Sequence, residues 1–514
     1  MEKEDKGKLI LAMLVLFPLL GWLIGARAIY HMDKTNALAV IMATPDLKAL
    51  WLTSGLGLFL AIGLSVCVIR MKKPFRGARF DRYFRGTQVV SAKTLATKTG
   101  ERGKAQVTIA DVPVPIEAET THFSIGGATG TGKSTIFKEM MVGCIRRGDR
   151  MVILDPDGEF VKTFYRPETD HILNPYDSRT EGWSFFNEVR DDYDFKRLAH
   201  SIVQQSSSSD AEEWNGYGRM LFAAVARKVR EENLSRRSMR DVYKWTNEAE
   251  AEELMEFVQG TDAAGIFTGA DRASASVRFV LSDKLSPHLT MKQGEFSLRD
   301  WLANPRGGNL YITWSESMRS SLKPLISCWT DIIFSSVLAE ESDLKRRIWV
   351  FLDELESLSK LSTLGDALTK GRKKGLCIVT GYQSYTQIEE VYGEKAAETM
   401  LANHRTSVVL AGGRMGQKTV EKMAHSIGQH EIMRKKKGKS ARAGFGSGVS
   451  ASENEDIRTE LVVLPSEIMA LPNLHGYLAF PGSFPVGKFK LTPITYIRKQ
   501  PVPGILKKKE EAIV

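Results

Sequence analysis

The run Gly127-Ala128-Thr129-Gly130-Thr131-Gly132-Lys133-Ser134 fits G-x-x-x-x-G-K-[ST] and constrains the fold of this chain more than any other stretch. Strand-like residues 121–125 precede it, and Thr135 to Met141 continue it as a helix, which is the strand-loop-helix context the pattern requires. Glycines at 127, 130 and 132 leave room for consecutive backbone N–H groups to face phosphate oxygens, and the helix N-terminus adds its positive end. Residues 127–135 therefore read as a nucleotide-phosphate cradle, in which Lys133 reaches the β and γ phosphates and Ser134 holds Mg²⁺.

The chain has 514 residues, enough on length alone for about three domains. Its net charge of +10 favours a polyanionic partner, without separating nucleic acid from anionic lipid. Cys67, Cys144, Cys328 and Cys377 are far apart and form neither a CxxC nor a metal-ligand spacing, so they read as ordinary thiols in a reducing compartment. Two charge-free apolar runs, about 9–26 and 49–69, each approach the ~20 residues needed to cross a bilayer. Cleavage of the first as a signal peptide is disfavoured, because Pro18 and bulky residues lead up to Arg27 with no small-residue site. Arg70, Lys72, Lys73, Arg76, Arg79, Arg82 and Arg85 follow the second run, against Arg27, Lys34 and Lys48 between the two. That asymmetry places the N-terminus and everything after the second helix in the cytoplasm, where the cluster also meets anionic headgroups of membrane lipids. Residues 1–74 thus form a membrane anchor.

Beyond the anchor, strands and helices alternate as in a nucleotide-binding α/β domain. Met151 to Leu154 read as a buried strand ending in Asp155-Pro156-Asp157-Gly158-Glu159. Asp155 there either faces a nucleotide or neighbouring subunit, or caps a turn. Residues 183–287 are helical in pattern, with Ser206-Ser207-Ser208-Ser209 as a loop, and strand texture resumes at Asn309. An all-α domain at 183–287 is therefore inserted into an α/β domain made of 75–182 and 288–514. The apolar strand Ile348 to Leu352 ends in Asp353-Glu354, a Walker B pattern: Asp353 supports Mg²⁺ through its water shell, and Glu354 orients and deprotonates the attacking water. A second apolar strand delivers Gln383 to its end, either as a γ-phosphate sensor or as a surface glutamine. Arg372, in the basic turn Gly371-Arg372-Lys373-Lys374-Gly375, is either an arginine finger crossing a subunit boundary or part of a solvated loop.

The paired apolar helices, GATGTGKST at 127–135, DPDGEF at 155–160, the helical insertion, VFLDELESL at 350–358, GRKKG at 371–375 and GYQS at 381–384 together resemble the type IV coupling proteins of the TrwB/TraG/TraD group. The resemblance spans nearly the whole chain. It implies a RecA/FtsK-like P-loop NTPase motor with an inserted all-α domain behind two transmembrane helices, assembled as a homo-hexamer in the bacterial inner membrane. It also implies ATP and Mg²⁺ as cofactors, and as partners single-stranded DNA or duplex, a relaxase within its relaxosome, and the inner-membrane components of type IV secretion. Lys133, Ser134, Asp353, Glu354, Arg372 and Gln383 match the family's motif positions. The long acidic C-terminal extension of the TraD branch has no counterpart in the short Lys507-Lys508-Lys509-Glu510-Glu511 tail. The Lys-rich segment 434–442 reads either as a DNA contact or as a solvated loop. Two activities use the same residues: a DNA pump, and a membrane-anchored ATPase that recruits or moves protein substrates.

Overall fold

The computed structural model describes residues 3–33, 36–70, 82–206, 208–232, 237–267, 271–358, 360–413, 415–441, 449–496 and 500–507. It divides into two compact units, Met1–Arg82 with Met433–Asp456, and Tyr83–Ile432 with Ile457–Val514. In the first unit, helices α1 (Lys3–Tyr30) and α2 (Lys48–Arg70) pair as an antiparallel hairpin. Gly21 and Gly57 bring the two backbones together, at Thr53 and Phe17 respectively. Ile10–Tyr30 and Lys48–Val66 are long and apolar enough to cross a membrane. Their outward side chains, Leu19, Ile24, Leu52 and Phe59 among them, are exposed, as suits helices solvated by lipid. The basic residues between 71 and 81, and the tail from Lys508, lie outside the described residues.

The second unit is built on a ten-stranded sheet: β1 (Val89–Ser91), β2 (Phe123–Gly126), β3 (Arg150–Pro156), β4 (His171–Leu173), β5 (Leu310–Trp314), β6 (Ile348–Leu352), β7 (Leu376–Tyr382), β8 (Thr406–Leu410), β9 (His475–Ala479) and β10 (Val486–Lys490). Their spatial order is β1-β10-β9-β8-β2-β7-β6-β3-β5-β4. All run parallel except β9, which is antiparallel to both neighbours. The central strands β2, β5, β6, β7 and β8 are buried along their whole length. Helices cover both faces, so these strands are apolar at consecutive positions rather than at alternate ones.

One face carries Ile125, Ile153, Phe351 and Val379 against α3 (Lys133–Arg147), with Phe137 and Met140 inserted between them. The alternate residues Val152, Leu154, Val350 and Ile378 join the other core, together with α4 (Tyr193–Ile202), α5 (Ser209–Glu232), α6 (Asp271–Leu289) and α7 (Arg319–Ala339). The helices of the 183–287 region therefore share a core with the sheet. Helix α7 is a third segment apolar enough to span a bilayer, but 72 % of that window is buried inside the protein. Trp329, Ile332, Ile333 and Phe334 fill the core, while Asp331 accepts hydrogen bonds from Ser201 (3.0 Å), Ser362 (2.7 Å) and the Thr363 N–H (2.8 Å).

Two expectations from sequence are corrected here. Ser209 opens α5 instead of lying in a loop, since Asp210 and Glu212 complement the positive end of the helix and Glu212 accepts the Ser206 N–H; Ser207 is outside the described residues. The Lys-rich segment is not a loop up to Ala441: Gln429–Ala441 is a strand in a three-stranded sheet with Arg82–Gly86 and Val449–Leu461. Arg442 lies outside the described residues.

Candidate nucleotide site

Adjacent strands β2, β7, β6 and β3 all end at the carboxyl edge of the sheet, so the phosphate loop, Gln383, the Asp353-Glu354 pair and Asp155 converge there. This is where open parallel sheets bind ligands. The loop is pinned from both sides: the Gly127 N–H donates to the Tyr382 carbonyl (3.3 Å), Ala128 to Ala411 (3.1 Å), and the Thr131 carbonyl accepts from Leu474 (3.1 Å). Gly132 adopts φ 117°, and a Cβ there would lie 2.7 Å from Leu491, so the turn into α3 needs glycine.

Lys133 is buried at the start of α3 and folds back, its ammonium donating to the carbonyls of Gly127 (2.8 Å) and Ala128 (3.2 Å). Burial lowers its pKa, opposed by the charges of Asp353, Glu356 and Glu354 in that order. Ser134 and Thr135 follow in the first turn, both half-buried. Desolvation pushes the Asp353 carboxyl up to about 7, with Lys133 pulling the other way. The backbones of β7 and β6 touch at this edge: a Cβ on Gly381 would lie 2.5 Å from the Asp353 carbonyl oxygen.

Gln383 joins the two motifs. Its Oε1 accepts from the Thr129 hydroxyl (2.7 Å), and its Nε2 donates to Glu354 Oε1 (3.0 Å). Its main-chain N–H donates to Glu356 Oε1 (2.8 Å). Asp155 is fully buried and caps the short helix Glu159–Phe164, accepting from the N–H groups of Phe160 (3.0 Å) and Val161 (2.7 Å). Of its two sequence readings, the geometry is the cap. Burial still holds its carboxyl at about 7.

Arg372 is not part of this cluster. It lies in the turn Gly371–Lys374 ahead of β7, and the seven residues of that strand put it roughly 20 Å away, on the amino edge. There it lines a cavity of about 500 Å³ with Lys98, Thr121 and Arg405.

The model of the type IV secretion-system coupling protein DNA-binding domain matches residues 106–492. The chain belongs to the type IV coupling proteins. Coupling protein TraD of Escherichia coli (strain K12) is 32 % identical over 413 residues, 78 % of this chain and 56 % of TraD, so the chain spans a little over half the length of that relative. Two solved structures of plasmid coupling protein TrwB, one in complex with ADP and Mg²⁺ and one with the non-hydrolysable analogue ADPNP, are similar at 45 % and 44 % identity. Both have a TM-score of 0.77 and cover 85 % of this chain and 100 % of theirs. The RecA/FtsK-like α/β fold that the family resemblance implies is thus the fold this coupling protein shares with the solved TrwB structures.

Two residues of this coupling protein escaped the sequence reading. Glu356 looks like any acid beyond a Walker B strand until its bond to Gln383 is seen. His122, at φ 62° just before β2, is buried and held neutral, its pKa pushed down to about 3 by desolvation. Its Nδ1 accepts the Ile378 N–H (3.1 Å), so Nε2 carries the proton and donates to the Leu368 carbonyl (3.1 Å). The ring thereby ties the phosphate-loop strand to the helix that leads to Arg372. No spacing in the sequence signals either contact.

Proposed function

We propose that this coupling protein is an inner-membrane, DNA-dependent ATPase that links a relaxase-DNA complex to a type IV secretion channel and pumps single-stranded DNA during conjugation. The observation that carries this reading is the Gln383 bridge. One side chain contacts the phosphate loop at Thr129 and the water-activating carboxylate at Glu354, so occupancy at the loop is felt directly at the base.

The residues fit Mg²⁺ and ATP. Lys133 already makes two hydrogen bonds to loop carbonyls that phosphate oxygens replace, and the loop main chain at Thr129, Gly130 and Gly132 makes no N–H hydrogen bond to the rest of the described backbone. Ser134 and the desolvated Asp353 would hold Mg²⁺, which when bound neutralises charge on the β and γ phosphates. Glu354 orients and deprotonates the attacking water, and Gln383 registers the γ-phosphate. Helices α1 and α2 cross the membrane with the N-terminus and the sheet-bearing unit in the cytoplasm, and the helices of residues 183–287 form the all-α domain. Arg372, distant from the phosphate loop of its own chain, supplies the finger to a neighbour in a homo-hexamer.

The test is ATP turnover by the full-length, detergent-extracted protein, with single-stranded DNA, duplex and purified relaxase added separately. Single-stranded DNA raises turnover, and Lys133→Thr abolishes it. Turnover that ignores DNA in every form but rises with relaxase replaces the pump with a protein-recruiting ATPase.

A further inference from the structure

We propose that Glu356 is a positioning residue for the reaction, the group that locks Gln383 into register with Glu354 and Thr129. The proposal rests on the ATPase reading above.

Glu356 lies in the short turn Leu355–Ser357 that follows β6, past the acid pair. Along that flank the β6–β7 pairing ends at Thr380 opposite Leu352. Gln383 is therefore beyond the ladder, and its main-chain N–H has no strand partner from β6. Glu356 Oε1 takes that place at 2.8 Å, extending the ladder with a side chain. This fixes the backbone from which the Gln383 amide reaches Thr129 on one side and Glu354 on the other.

The other oxygen, Glu356 Oε2, is buried with no hydrogen-bond partner among the described residues. A carboxylate half-satisfied in this way is costly to bury. Burial raises the Glu356 pKa, and its charge acts on Lys133 second only to that of Asp353. Glu356 thus faces the phosphate-binding lysine electrostatically while holding the sensor mechanically. Glu354 has its carboxylate engaged by the Gln383 side chain, so the two acids divide the work: one holds the main chain of the sensor, the other meets its amide.

The experiment compares Glu356→Ala and Glu356→Gln in the full-length protein, reading kcat for ATP and, separately, the affinity for a fluorescent ADP analogue with Mg²⁺. Alanine removes the acceptor; glutamine keeps a carbonyl oxygen for the Gln383 N–H. Glu356→Ala is expected to lower kcat at least about tenfold while the ADP affinity stays within about threefold, and Glu356→Gln to recover at least about a third of wild-type turnover. Adding Glu356→Ala to Gln383→Ala should cost no further activity, because both act through one group. The proposal is overturned if Glu356→Ala turns over within about twofold of wild type, if ADP affinity falls in step with kcat, if glutamine is as damaging as alanine, or if the two alanine changes multiply. A wild-type protein that binds the ADP analogue yet never turns over ATP overturns the ATPase reading itself, a result distinct from an active wild type with an indifferent Glu356.

Discussion

Lys133 and Asp353 are shifted towards each other: burial makes the ammonium easier to discharge and the carboxyl harder to ionise. Asp353, held at about 7, binds a proton in the folded protein where an ordinary aspartate would have none. Together with Asp155, also at about 7, it contributes stability that is fully present below the unfolded value and is lost as pH rises through 7. With Asp353 in its proposed Mg²⁺-holding role, the ion would compete with the proton on that carboxyl, so Mg²⁺-dependent nucleotide affinity should weaken by about tenfold per pH unit below about 7. Titrating a fluorescent ADP analogue with and without Mg²⁺ between about pH 5.5 and 8 checks this. Asp353→Asn should lose the Mg²⁺ effect, and an affinity flat across that range in the wild type would refute the coupling. At this scale the motif residues were legible, because each chemical role demands a residue type at a fixed offset. The cap made by Asp155 was only one of two readings, and Glu356 was not legible at all, since its partner is 27 positions away.

Among the elements, β7 does the most positioning. It carries Gln383 at one end, Arg372 just before the other, and at Gly381 it lies against the Asp353 carbonyl. Gly381→Ala should force the two strands apart, lowering stability by about 1–3 kcal/mol and turnover with it. Gly365→Ala is the control: a Cβ there meets nothing within 4 Å in the helix Leu364–Lys370, and it should leave the melting temperature unchanged or slightly higher. Equal melting temperatures for Gly381→Ala and wild type would remove the argument from close approach. The strands β2, β3, β5, β6 and β7 were readable because burial on both faces makes most of their positions apolar in succession, whereas β1, β4, β8 and β10 were not read. Helix α7 shows where that reading stops, for its hydropathy passes the same test as α1 and α2 while its side chains fill a protein core. The strand Gln429–Ala441 was missed because Arg434 and four lysines leave it no apolar alternation, and one of its partners, Arg82–Gly86, lies far off in sequence.

For the whole molecule, the decisive fact is that Arg372 and the phosphate loop occupy opposite edges of one sheet. A finger acting within its own chain would have to cross that sheet, so Arg372 acts on a neighbour or not at all. Arg372→Ala alone is expected to lower turnover by about 10³-fold, as is loss of Lys133. Mixed oligomers of Arg372→Ala and Lys133→Ala protomers should regain turnover, because some interfaces then pair an intact loop with an intact arginine. Mixtures as inactive as their components, or an active Arg372→Ala protein, would refute the trans role. The phosphate loop, the acid pair, the two N-terminal apolar helices and the alternation of strand and helix are all legible from residue order, since these depend on neighbours a few positions apart. Folding in three dimensions set that Gln383 meets both Glu354 and Glu356, that Asp155 is a cap, that Arg372 stands at the far edge and that α7 is core. Hydropathy measures how strongly a segment leaves water, not whether lipid or protein receives it, and a polar side chain's partner is chosen by strand order.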